Sequence, residues 1–94
     1  MNFLQTILEA AASIDGASYL RAFACLGAGI CMGLGAIGPA IGEGLAASKA
    51  AEGTARQPQA LKQIRSIMLL GQAVSETTGL YAMLIAFILI FAVK

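Results

Sequence analysis

Residues 22–42 read AFACLGAGICMGLGAIGPAIG, 21 residues in a row without a charged side chain. At a rise of ~1.5 Å per residue, a helix of that length just crosses a hydrocarbon layer ~30 Å thick. Residues 66–93, SIMLLGQAVSETTGLYAMLIAFILIFAV, form a second apolar run of spanning length, interrupted by one charge, Glu76. Two such runs separated by a short polar stretch predict an all-α fold, a transmembrane helical hairpin. Composition agrees, because 59% of the 94 residues are hydrophobic and only 12% are charged, with a mean hydropathy of +0.81. An ordinary water-soluble globule is excluded, and the bilayer is the solvent this chain requires.

Working outward from the two runs divides a single domain, residues 1–94, into an N-terminal extension over about 1–16, helix one over 17–48, a loop over 49–65 and helix two over 66–93. The extension carries no Lys or Arg, and sets Phe3, Leu4, Ile7, Leu8 and Ala11 at helical spacing. It is unlike a cleaved signal peptide, and reads as an interfacial helix or an extension of helix one. Between the spans stand Lys49, Arg56, Lys62 and Arg65 against Glu52, with Gly53 and Pro58 supplying turn chemistry. The positive-inside rule then puts the loop in the cytoplasm and both termini across the membrane, since the N-terminal flank holds Glu9, Asp15 and only Arg21. Six Lys and Arg against five Asp and Glu, with no His, leave no basic footprint for nucleic acid. Cys25 and Cys31 fall on separate faces of one helix without His companions, and read as packing residues.

Plotted at ~100° per residue, helix one sorts its small residues into two groups. Gly27, Cys31, Gly35, Gly38 and Gly42 share one face, and Gly29, Gly33 and Gly44 another. Ile30, Leu34, Ile37 and Ile41 form a stripe between them, and Met32, Pro39 and Glu43 lie on the far side. Small residues let helix backbones approach closely in lipid. Two such faces imply two like neighbours, and neighbours that repeat until the assembly closes make a ring. On this reading Gly27, Gly29, Cys31, Gly33 and Gly35 pack hairpin against hairpin, the aliphatic stripe lines the bore, and the Glu43 sector turns to helix two.

Glu76 dominates the chemistry. A carboxylate near mid-bilayer costs ~2.5 to 3.5 kcal/mol even on the lenient insertion scale, so it must be neutralised or paired. Gln72, Thr77, Thr78 and Tyr81 set an amide and three hydroxyls within about one helical turn of it, an oxygen-rich group that suits a hard cation. No Ser-His-Asp set, His metal ligand or phosphate-binding loop accompanies them. The chain is therefore read as moving ions and not as an enzyme.

The Gly-rich first helix, the loop Ala55-Arg56-Gln57-Pro58 and the run from Gly71 through Glu76 to Tyr81 resemble the c subunits of rotary F-type ATP synthases, from about Ala22 to Phe91. The resemblance implies a ring of identical hairpins in membrane lipid that turns against a stator subunit. It implies that Arg56, Gln57 and Pro58 touch the central stalk, that Glu76 is the ion-carrying carboxylate, and that ATP chemistry lies on other subunits. Sodium-binding members have a helix-two Glu followed by Ser or Thr and then, after a short gap, Tyr, as in Glu76, Thr77 and Tyr81. Carried over, Glu76 and the Thr77 hydroxyl are direct Na+ ligands and the Val74 carbonyl a backbone ligand. Thr78 binds through water, and Tyr81 orients Glu76.

Two departures mark this sequence. Where sodium binders commonly carry Gln, it has Gly42-Glu43-Gly44, which resembles a minority two-carboxylate type and adds Glu43 to the Na+ site. Cys31 stands where the alternating pattern places Gly, at a position able to change the angle between hairpins. One Na+ with two ionised carboxylates leaves a net negative site in lipid, so the pair is expected to share a proton. The alternative is the same ring driven by H+. A more distant reading is a pore-forming hairpin with no rotary partner.

Overall fold

A computed structural model describes residues 2–13 and 15–93. Four α-helices and one 3₁₀ turn follow in order: α1 (Phe3–Ala12), α2 (Gly16–Gly35), α3 (Ile37–Arg56), the turn Pro58–Ala60, and α4 (Leu61–Ala92). Together α2 and α3 make a rod of 41 residues, Gly16–Arg56, which folds back on the rod Pro58–Ala92. Both are long and apolar enough to cross a membrane.

Each boundary has a local cause. Asp15 is extended, and its side chain accepts a 2.8 Å hydrogen bond from the Ser18 N–H, which caps α2 and starts it anew after α1. The first helix opens with a capping box between Asn2 and Gln5. The extension is thus a separate, capped helix and not a straight continuation of helix one. The break at Ala36 follows from Pro39: lacking an N–H, proline gives no hydrogen bond to the carbonyl four residues back, that of Gly35, and its ring crowds it. The ladder resumes at once, Ala36 donating to Met32 and Ala40 to Ala36, each at 3.0 Å.

The loop expected over 49–65 shrinks to the stretch around Gln57–Ala60, because both helices run beyond the apolar segments. The charges expected in the loop sit on exposed helix surface, where Glu52 pairs with Lys49 at 3.3 Å and Arg56 at 2.8 Å, at i,i+3 and i,i+4 spacing. Gly53 is helical and makes no turn; a Cβ there would make an ordinary contact with Ile64 Cδ1 at 3.5 Å. The reversal is made by Gln57 and by Pro58 at the start of the 3₁₀ turn.

The packing inverts that of a soluble protein. Among the described residues the buried hydrophobic ones are all alanines, Ala24 and Ala28 on α2 against Ala82 and Ala86 on α4, with Pro39 and Gly79 buried beside them. The large apolar side chains point away from the seam, Leu34 and Leu70 being 65% and 67% exposed. Such a surface is stable only in lipid. The seam also corrects the expected facing of helix one. Gly27, Cys31, Gly35 and Gly42, assigned from sequence to a neighbouring hairpin, turn toward α4 of their own chain. A Cβ at Gly35 would overlap Ala82 Cβ, one at Gly42 would overlap Ser75 Oγ, and Cys31 Sγ donates to the Ala82 carbonyl at 3.5 Å. The smallest arc of the helix permits the closest approach, and the first partner in reach is the other arm of the hairpin. Around Gly29, Gly33, Gly38 and Gly44 the space within 4 Å is open.

Candidate functional site

The fold positions Glu43 on α3, four residues past Pro39, opposite Glu76 at the middle of α4. Their carboxyl groups stand within hydrogen-bonding reach of each other across the hairpin. A hydrogen bond between two carboxyl groups requires a proton on one of them. Where the two carboxyl groups meet, half-buried Glu43 and exposed Glu76 can therefore share a proton.

Three contacts hold the pair. Gln72, a turn before Glu76, donates from Nε2 to the Glu43 backbone carbonyl at 3.2 Å and ties α3 to α4 at this level. Gly42 and Ser75, each one residue before a carboxylate, interlock so closely that a Cβ on Gly42 would fit only if Ser75 Oγ turned away. Gly79 lies three residues beyond Glu76, and a Cβ there would stand 3.1 Å from Glu76 Oε1 and 3.2 Å from Pro39 Cγ. The bare glycine lets the Glu76 carboxyl lie back along α4 beside the proline. Sequence reasoning placed Gln72 among the polar neighbours but missed Gly42, Ser75 and Gly79 as supports. The signal for Gly79 was its i+3 spacing from Glu76.

The remaining residues fall elsewhere. Thr77 Oγ1 donates to the Val74 carbonyl at 2.6 Å, and Thr78 Oγ1 to the Ser75 carbonyl at 3.1 Å. Val74, Thr77 and Tyr81 share a face roughly 100–160° around α4 from Glu76. That face is open, with Val74 62% and Tyr81 64% exposed, and the Tyr81 hydroxyl has no hydrogen-bond partner among the described residues. One hairpin thus unites Glu43, Glu76 and Gln72, and does not bring Val74, Thr77 or Tyr81 to them. Arg56, Gln57 and Pro58 are exposed at the tip where the rods reverse, Arg56 bound to Glu52.

A family model for the C subunit of ATP synthase matches residues 26–89, which takes in the seam except Ala24, the carboxyl pair and the reversal. The chain belongs to the ATP synthase C-subunit family. Among its curated relatives, the ATP synthase c subunit of Alkaliphilus oremlandii is 51% identical over 79 residues, covering 84% of this chain and 89% of that one. The c subunit of the Thermotoga maritima ATP synthase is 54% identical over 68 residues, 72% and 80% of the two chains. Its counterpart in Mesomycoplasma hyopneumoniae strain J is 47% identical over 96 aligned residues, covering 97% and 94%. Membership makes this a non-catalytic membrane subunit, an ion-translocating rotor component that works together with other ATP synthase subunits. The family assembles its hairpins as rings.

Proposed function

We propose that the ion carried is sodium and that it binds between neighbouring hairpins of the ring. The observation that carries this reading is the split of the oxygen donors. A carboxyl pair, Glu43 and Glu76, lies on one side of the hairpin, and a hydroxyl and carbonyl, Thr77 and Val74, lie on another face, open to solvent or to a neighbour. In a closed ring the second set of one copy faces the first set of the next. Oxygen donors of mixed charge suit a hard monovalent cation. Thr78 serves through water, and Tyr81 finds in the neighbour's Glu76 the partner it lacks within its own hairpin.

Charge balance supplies the mechanism. A sodium ion and one proton on the carboxyl pair make the loaded site neutral, which lets it travel past lipid. Beside a cation of the stator, Glu76 is stabilised as a carboxylate and releases its ion. The site reloads when it turns back to an aqueous path. Arg56, Gln57 and Pro58, at the tip, transmit the rotation to the central stalk from the cytoplasmic side, which follows from the positive charge near that end. The test is ATP hydrolysis by the complete complex in sealed vesicles. Sodium should stimulate hydrolysis and accumulate in the vesicles, whereas sodium-independent hydrolysis with proton uptake would make H+ the coupling ion.

A further inference from the structure

Helix α1 lies outside residues 26–89 and makes no contact with α2, α3 or α4 among the described residues. It is nevertheless built with care: a capping box starts it, and Ser13 closes it by donating its backbone N–H to Glu9 at 3.1 Å and its Oγ to Ala10 at 2.7 Å. At ~100° per residue, Phe3, Leu4, Ile7, Leu8 and Ala11 fall within an arc of about 140°, while Asn2, Gln5, Thr6, Glu9 and Ser13 fill the opposite side. The apolar arc is uncovered, Phe3 being 82% exposed and Leu8 60%.

We propose that α1 lies along the water–lipid boundary on the side of the membrane opposite the reversal, its apolar arc sunk among acyl chains. The two residues between Ala12 and the Asp15 cap tether it to the end of α2, where Tyr19 and Arg21 are residues of the kind that settle at headgroup level. The occupant follows from the shape of the helix. A helix wedged between two neighbouring copies needs two apolar sides, and α1 has one. Close contact between helices in lipid uses small residues, whereas the apolar arc of α1 is led by Phe and branched aliphatics. Its only charge is Glu9, so the attachment draws on apolar burial and not on anionic headgroups. The inference rests on the membrane-spanning hairpin alone, independent of which ion the ring carries.

The test uses the full chain, with Cys25 and Cys31 replaced by Ala, reconstituted in phosphatidylcholine vesicles with or without phosphatidylglycerol. A nitroxide is attached at Ile7→Cys or Glu9→Cys, both exposed positions whose change disturbs no packed contact. The label at position 7 should be relaxed by dissolved oxygen and shielded from a water-soluble nickel chelate, and the label at position 9 should show the reverse, equally in both lipids. Leu4→Gln with Leu8→Gln should raise nickel access at position 7 several-fold. Equal nickel access at both positions would leave the helix in water, and shielding of both from both reagents would bury it against a neighbouring copy. Either result overturns the proposal, as does a pattern seen only with the anionic lipid.

Discussion

Glu76 is the residue on which the proposed transport cycle turns, and its amide variant separates charge from shape. Glu76→Gln should fold and assemble, because Gln keeps the volume and the hydrogen-bonding capacity, yet ion-coupled ATP synthesis should vanish because an amide cannot change its charge state beside a stator cation. Retained ion-driven synthesis would remove Glu76 from that role. The seam offers a second test at this scale. In Gly35→Ala the new methyl meets Ala82 Cβ, which cannot rotate away, so the two rods must separate and the hairpin should lose about 1–3 kcal/mol. Gly42→Ala meets Ser75 Oγ, which can turn, and should cost less. Thermal unfolding of the two variants in detergent gives the order. Glu76 stood out in the sequence because a lone charge in an apolar run has few explanations. Its supports did not, since Gly42 and Ser75 carry no chemistry and acquire meaning only when α3 lies on α4.

Among the elements, α2 depends on its cap. The Ser18 backbone N–H bound to Asp15 holds the carboxyl below its ordinary pKa of 3.8, as does the Ser18 side chain. A pKa lowered by folding stabilises the fold above the ordinary value, and the benefit fades as pH falls through the lowered one. Amide protection in the first turn of α2, taken as exchange relative to the free-peptide rate at the same pH, should therefore be high at neutral pH, fall in strong acid, and be low at neutral pH in Asp15→Ala. An Asp15→Ala variant that exchanges like the parent would show the cap to be idle. The break at Ala36 makes a separate claim: Pro39→Ala should restore the hydrogen bond to the Gly35 carbonyl, join α2 and α3 into one ladder and take away the ring beside the Glu76 carboxyl. Its reaction with a carbodiimide should then quicken, and an unchanged rate would mean that the proline does not shield it. Both helices were legible from apolar length, yet the reversal was misjudged because charge was taken for loop. Lys49, Glu52 and Arg56 are helix formers at pairing distance, and a helix leaving the membrane keeps its hydrogen bonds in water.

For the whole molecule, hydropathy gave the class of fold directly, while the facing of helix one was the harder matter. Helical periodicity assigns each residue an angle but does not say which arc meets the partner, and this helix has small residues on two arcs. With the Gly27, Cys31, Gly35 and Gly42 arc turned to its own α4, the arc of Gly29 and Gly33 is left open, and we propose it as the contact with neighbouring hairpins. Gly33→Leu should accordingly leave the hairpin folded and release monomers from the ring, and an intact ring by native mass spectrometry would refute that contact. The central claim, that sodium sits on Glu76 with a proton shared with Glu43, is tested most directly by protection of Glu76 from carbodiimide modification as sodium is titrated at several pH values. Sodium should protect, and its apparent affinity should fall as pH falls, because a second proton takes the place of the metal on the carboxyl pair. Modification of Glu76 at the same rate with and without sodium at every pH would contradict the assignment.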